Sequence, residues 1–254
     1  MSIELVKTVL DPLHFSRLKL IARSAAHYRG ATVEETYAME RGTAVHRMLL
    51  TKDRVIGYPG PQRRGKEWDA FEDANSDAVI LTAKEFDKAA AMVESVRRCP
   101  EAMRLLQGDQ ERTIGWAFGD RCCEGTPDTV GNGFVTELKA TRCSEPGKFA
   151  WQARSMAYHA QLAWYMDGCQ AGKIATPEQA YCVAVESTAP FPVTVFQLTP
   201  RMLDEGRRLY RLWFERLMTY EAVNEWPAYA QGVVALDVPE DEPELDWSGV
   251  EDAA

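Results

Sequence analysis

The chain has 254 residues, 46% of them hydrophobic and 26% charged, which is enough to bury a sizeable core and excludes the disordered and fibrous classes. No apolar run reaches the roughly 18 residues that a bilayer span needs, and the opening MSIELVKTVLDPLHF lacks a basic segment followed by an apolar one, so a cytosolic protein is expected. The net charge of -9 is concentrated at one end: residues 237–254 carry eight acids and no base, and the other 236 residues together hold -1.

The first thirty residues place Lys7, Arg17, Lys19, Arg23 and Arg29 against Glu4 and Asp11, an excess of +3 compatible with a polyanionic partner. Residues 16–28 set Leu18, Ile21, Ala22 and Ala25 at helical spacing behind Ser16 as N-cap candidate. A second helix is expected over 32–50, with Thr32 as cap and Glu35 completing a capping box. Residues 57–77 are rich in Gly, Pro and charge and read as an exposed loop leading into a short helix. A Thr-x-x-Glu box at Thr82 and Glu85 starts a helix over 82–106, interrupted near its middle by Pro100. From Thr113 the period falls from 3.6 towards 2, and strands are expected at 113–118, 121–130 and 134–139. A helix follows at about 148–169, then strands near 180–186 and 193–198. The last helix, about 200–222, carries Met202, Leu203, Leu209, Leu212, Trp213 and Leu217 as its core stripe. That order predicts an α/β protein with helices packed on a central mixed sheet. The acidic segment 237–254 reads as disordered by composition and either solubilises the chain or meets a partner.

Cys99, Cys122, Cys123, Cys143, Cys169 and Cys182 form no Cys-x-x-Cys pair and no zinc or iron–sulfur spacing, so they are expected to be reduced and mostly buried.

The richest stretch is EGTPDTVGNGFVTELKATRC, residues 124–143. If Asn132-Gly133 forms a two-residue type I′ turn, Gly131 faces Phe134, Val130 faces Val135, and Asp128 lies opposite Glu137. Side chains alternate along a strand, so Lys139 shares the face of Glu137. Two carboxylates placed directly across a strand pair repel one another and call for a cation between them. Lys139 alone would make this a surface salt bridge. Yet Val130, Phe134, Val135 and Leu138 surround the acids and argue for central strands, where paired carboxylates suit Mg²⁺ or Mn²⁺ and, with a lysine beside them, the hydrolysis of a phosphodiester.

Pro127-Asp128 followed by Glu137-Leu138-Lys139 resembles the PD-(D/E)xK nuclease motif. Upstream, ERGTAVHRMLL is similar to the G-x-x-x-H helix of the RecB-like and RecE-like branches, with Gly42 and His46 four residues apart on one helix face. Downstream, YHAQLAWY resembles the Q-x-x-x-Y helix of the same branches and supplies Gln161 and Tyr165 one turn apart. The opening HFSRLKLIARSAAHY and the segment QRRGKEW look like the N-terminal region of RecE-type and phage lambda-type exonucleases, so the resemblance runs from about residue 14 to 169.

The resemblance implies a restriction-endonuclease-like α/β core with a helical N-terminal region: one nuclease domain over 1–236, helical at about 14–110 and catalytic at about 111–225. It implies His46, Asp128, Glu137 and the Leu138 carbonyl as metal ligands, Lys139 as the residue that positions or activates the attacking water, and Gln161 and Tyr165 as groups orienting Lys139 or the phosphate. Mg²⁺ or Mn²⁺ would be the cofactor, without an organic cofactor or an iron–sulfur cluster. The implied activity is 5′ to 3′ hydrolysis of linear duplex DNA in a bacterial or phage-infected cell, leaving 3′ single strands for recombination. Partners would be DNA ends, a single-strand annealing protein and further copies of the chain in a trimeric or tetrameric ring, with no membrane. A non-catalytic DNA-end-binding module and an endonuclease of the same fold are the competing readings. Ser16, Arg17 and Lys19, at a helix start, and Arg63, Arg64 and Lys66, on a loop near Trp68, are candidates for holding DNA, or equally for a solvated helix face and a solvated loop.

Overall fold

The computed structural model describes residues 11–31, 36–51, 53–230 and 232–236. The expected Thr32–Glu35 capping box, Lys7 and the acidic segment 237–254 lie outside the described residues. In chain order the elements are β1 (Leu13–His14), α1 (Phe15–Leu18) running into a 3₁₀ turn (Lys19–Ala22), α2 (Ala25–Gly30), α3 (Tyr37–His46) ending in a π turn (Arg47–Thr51), β2 (Val55–Tyr58), α4 (Lys66–Asp73) and β3 (Val79–Thr82). Then follow α5 (Ala83–Arg97), α6 (Pro100–Leu105), β4 (Asp109–Gln110), β5 (Ile114–Phe118), β6 (Arg121–Gly125), β7 (Thr129–Gly131) and β8 (Phe134–Thr141). The chain continues with α7 (Pro146–Ser155), α8 (Tyr158–Ala171), β9 (Gln179–Glu186), β10 (Val193–Gln197) and α9 (Pro200–Val223).

The main sheet is mixed and runs β10-β9-β8-β7-β4, with β8 and β9 parallel and the other neighbours antiparallel. Its two central strands divide the apolar interior. Val135, Ala180, Cys182 and Ala184 face one core, shared with α8 and α9, whereas Leu138, Val183 and Val185 face a second core shared with α3 and α5. Helices therefore cover both faces, and β8 and β9 carry apolar residues on both, as a buried sheet requires. Two smaller sheets, β1-β6-β5 and β2-β3, flank it.

Several elements begin where the sequence signals them. Thr82 caps α5 by accepting a hydrogen bond from the Glu85 N–H, Pro100 opens α6 at its first position, and Thr199 caps α9 by accepting from Met202. Others depart from expectation. His14 precedes α1, so Ser16 lies inside the first turn, and the expected single helix over 16–28 is broken before Ser24, which caps α2 by accepting from the His27 N–H. The strand expected over 121–130 splits into β6 and β7, which belong to different sheets: Pro127 has no N–H to offer a ladder, and the chain crosses between sheets there. The helix expected over 148–169 splits at Ala157, which takes a left-handed φ of 58°.

Helices α8 and α9 touch closely at Gly206, where a Cβ would lie 2.4 Å from the His159 carbonyl oxygen and 2.9 Å from the Ala160 nitrogen. Gly206→Ala should therefore destabilise the protein by about 1–3 kcal/mol, because overpacking against backbone outweighs the gain in helix propensity that alanine normally brings. A lowered denaturation midpoint in urea at unchanged slope is the expected reading.

Candidate active site

The β7–β8 hairpin pairs Gly131 with Phe134 and Val130 with Val135, as the Asn-Gly turn requires. The turn is not type I′, since Gly133 alone has a positive φ (83°) and that form needs one at both central residues. The Phe134 ring covers Gly131 so closely that a Cβ there would meet it at 2.1 Å.

Asp128 sits just before β7, where the chain leaves the small sheet, and Glu137 and Lys139 lie on β8. Both acids are almost wholly buried, at 8% and 3% exposure. Asp128 Oδ2 accepts from the Leu138 N–H at 2.6 Å, and the Asp128 N–H donates to Glu137 Oε1 at 3.3 Å. Lys139 Nζ donates to Glu137 Oε2 at 2.6 Å and stands 5.0 Å from the centre of the Tyr158 ring. From the end of α3, the His46 Nδ1 lies 3.2 Å from Asp128 Oδ1, while its Nε2 bonds the Leu138 carbonyl oxygen at 2.8 Å. On α8 the Gln161 amide donates to the Tyr165 hydroxyl at 3.0 Å.

Burial and pairing pull these groups apart in proton affinity. Burial and the Asp128 charge push the Glu137 carboxyl up to about 7, against the pull of Lys139. Burial also works against ionised Asp128, but the imidazole of His46 and the ammonium of Lys139 outweigh it and hold this carboxyl below its ordinary value. For Lys139 and His46 burial favours the neutral form, and the two acids more than reverse it, so both are raised. Burial and then Glu137 raise the Tyr165 phenol. The two neighbouring carboxyls thus differ in direction, Asp128 held below its ordinary value and Glu137 pushed above it.

Two carboxylates, a backbone carbonyl and an imidazole are the donor chemistry of a hard divalent cation such as Mg²⁺ or Mn²⁺. Among the described residues no three His, Cys, Asp or Glu side chains already stand at metal-ligand spacing. The reason is local. The His46 ring bonds both Asp128 Oδ1 and the Leu138 carbonyl, and Lys139 engages Glu137, so the candidate ligand atoms are occupied by one another. The donor set fits such an ion once those hydrogen bonds yield to it.

A family model described as a PDDEXK-like domain of unknown function (DUF3799) matches residues 14–237. The chain belongs to this PDDEXK-like family. No curated protein matches the sequence. Among solved structures, a protein from Eubacterium rectale described as a "Putative exonuclease" superposes with a TM-score of 0.66 at 13% identity, covering 94% of this chain and 96% of that one. At that identity the likeness concerns the fold, and it agrees with the mixed sheet and flanking helices of a PDDEXK-like core. The structure of SSO0001 covers 75% of this chain and 84% of its own at 11% identity, with a TM-score of only 0.28.

The PDDEXK-like core brings Asp128, Glu137, Leu138, Lys139 and His46 together, with Gln161 and Tyr165 on the helix that packs over the same face of β8. The candidate DNA-binding residues are scattered. Lys19 is partly buried and feels Lys139: burial first, then that charge, lowers its pKa. The Arg17 guanidinium bonds the Tyr28 and Ala31 carbonyls and lies over the Tyr28 ring, and Ser16 is exposed. Arg63 is engaged by both Glu40 oxygens, at 2.9 and 2.7 Å, and by the Ile80 carbonyl, whereas Arg64 and Lys66 are exposed.

Tyr158, Arg47 and Glu111 did not stand out in the sequence. Tyr158, Gln161 and Tyr165 share the i, i+3, i+7 spacing of one helix face, a signal that could have added Tyr158. Nothing in the sequence marks Glu111, which reaches the site through its own backbone: its N–H donates to the Asp128 carbonyl at 3.1 Å.

Proposed function

We propose that this chain is a divalent-metal-dependent deoxyribonuclease acting as an exonuclease on linear duplex DNA, of the RecE-like kind, degrading the 5′-ended strand. The observation that carries the reading is the buried convergence of Asp128, Glu137, Lys139 and His46 around the middle of β8, with each polar group bonded to another member. A structural salt bridge would need only one acid and one base. Here two acids are forced together at a desolvation cost that few folds accept without function.

Held by Asp128, Glu137, the Leu138 carbonyl and His46, a divalent ion would neutralise charge on the phosphate and acidify water. Asp128 keeps its negative charge because the Leu138 N–H and His46 stabilise it. Lys139, fixed by Glu137 and the Tyr158 ring, places an ammonium beside the two acids, where it orients the attacking water and offsets charge building on the phosphoryl oxygens. Glu137, which accepts from Lys139 Nζ, ties the lysine to the acids that would hold the ion. Gln161 and Tyr165 present an amide and a phenol from α8, where they would orient Lys139 or the phosphate. Duplex ends as substrate, ring assembly from several copies and a single-strand annealing protein as partner belong to the same proposal.

Linear duplex DNA labelled separately at each 5′ and 3′ end tests it. Loss of the 5′-ended strand in Mg²⁺ or Mn²⁺, with none in EDTA, is the expected result. No degradation with either metal by folded protein that binds DNA would favour an inert end-binding module, and cleavage of closed circles an endonuclease.

A further inference from the structure

Beside the buried acids, α3 and the loop after β4 enclose a cleft of about 270 Å³ lined by Gly42, Thr43, His46, Arg47 and Glu111. At Gly42 an added Cβ would meet nothing nearer than the Ala140 Cβ at 4.0 Å, so helix α3 passes this wall of the cleft without crowding. Arg47 directly follows His46 and begins the π turn, and both side chains line the cleft. Its Nη1 donates to Asp53 Oδ2 at 2.6 Å and lies 3.9 Å from Glu111 Oε2, and the side chain is 41% exposed. Its Nη2 and Nε find no acceptor among the described residues, which leaves two N–H edges of a planar fork suited to a phosphate.

Glu111 is the unusual partner. It has a φ of 45°, a left-handed conformation that glycine or asparagine normally fills, and its N–H is tied to the Asp128 carbonyl. Either of those residues would serve the backbone with less strain but would bring no carboxylate. The strained position thus presents an anion to the arginine at the entrance of an acid-bearing cleft. A nucleic acid arriving there meets Arg47 bonded to Asp53 with the Glu111 carboxylate 3.9 Å away, two charges that imitate those of its own phosphates.

We propose that Arg47 binds a DNA backbone phosphate next to the scissile one, and that Glu111, with Asp53, is an internal competitor which parks the guanidinium across the cleft until DNA displaces it. The inference deepens the nuclease reading and rests on it for the identity of the polyanion. Its chemistry is an exchange of partners by one guanidinium, with no bond made or broken.

Binding in EDTA, where no strand is cut, separates this inference from the activity. Fluorescence anisotropy with a labelled linear duplex over a series of salt concentrations should show Arg47→Ala weakening affinity about tenfold and reducing the salt slope by about one, the signature of one lost phosphate contact. Glu111→Gln should bind several-fold more tightly than wild type, because it removes the competitor and keeps the side-chain shape. Glu111→Gly, which also relieves the backbone, should do the same while melting no lower than wild type. Unchanged affinity and slope in Arg47→Ala would overturn the phosphate contact, and a Glu111→Gln that binds no tighter would overturn the competition. Should Arg47→Ala fail to fold, the Glu111 variants decide alone. DNA binding that obeys these rules in a protein that cuts nothing in Mg²⁺ would leave the inference standing and bring down the nuclease reading instead.

Discussion

Lys139→Met should abolish DNA hydrolysis, with turnover falling about a thousandfold or more, while the protein still folds. The methionine keeps the unbranched aliphatic stem against Tyr158 and removes only the ammonium that pairs with Glu137. Deleting one partner of a buried ion pair ordinarily costs about 3–5 kcal/mol, because the other is left as an uncompensated charge. Glu137 has an escape. Its carboxyl stands at about 7 even with the lysine present, so without it the group takes up a proton at neutral pH and most of that penalty is avoided. The sign of the pH effect follows. A carboxyl whose folded value lies above its unfolded one contributes stability that is complete below the unfolded value and declines as pH rises towards the folded one. Losing Lys139 raises the folded value further, so the decline should extend to higher pH in the variant. Melting curves across neutral and alkaline pH should show the two proteins diverging as pH increases. Coincident curves would mean that Lys139 and Glu137 do not interact as their 2.6 Å contact requires.

Asp128→Asn should be equally damaging to activity and gentler on the fold. An asparagine can turn its carbonyl to the Leu138 N–H and its amide NH₂ to the His46 Nδ1, and the imidazole then accepts at Nδ1 and donates from Nε2 to the Leu138 carbonyl, the arrangement of a neutral ring. Every hydrogen bond at the site survives the exchange; the negative charge does not. With that charge gone a divalent cation loses its strongest ligand, and turnover should fall by about a thousandfold or more, a metal-site loss added to that of phosphate orientation. His46, raised in the wild type by Asp128 against the effect of burial, should titrate at lower pH in the metal-free variant, which an NMR titration of its ring protons reads directly. An unmoved His46 midpoint would show that Asp128 is not its partner in solution.

Much of this site was legible because it rests on short-range rules. Asn132-Gly133 set the hairpin register, the register placed Asp128 near Glu137, and the period of two put Lys139 beside them. The cap at Thr82 and the interruption at Pro100 were equally local. What stayed hidden depends on tertiary choices. Ala157 breaks a helix with neither Gly nor Pro to mark it, because the left-handed turn there is set by how α7 and α8 pack on β8 and β9. The four short strands β1 to β4 contain few residues of alternating pattern and exist only through their partners. Arg63 looked like a free loop cation, but Glu40, 23 residues earlier and beyond the reach of any helical spacing rule, claims it in the folded chain. Glu111 is invisible for a different reason: a left-handed glutamate leaves no compositional trace.

The crossing at Thr126–Asp128 also bears on how the protein can be handled. The small sheet ends its β5–β6 hairpin in the exposed Gly119-Asp120 turn, while Asp128 is moored to the main sheet by the Leu138 N–H. Chain added at Gly119-Asp120 would lengthen an arm whose far end is exposed, and the hydrogen bond that fixes the carboxylate belongs to another sheet. That turn is therefore a place to graft a fluorophore or an affinity peptide, giving a tagged protein whose buried acids keep their spacing.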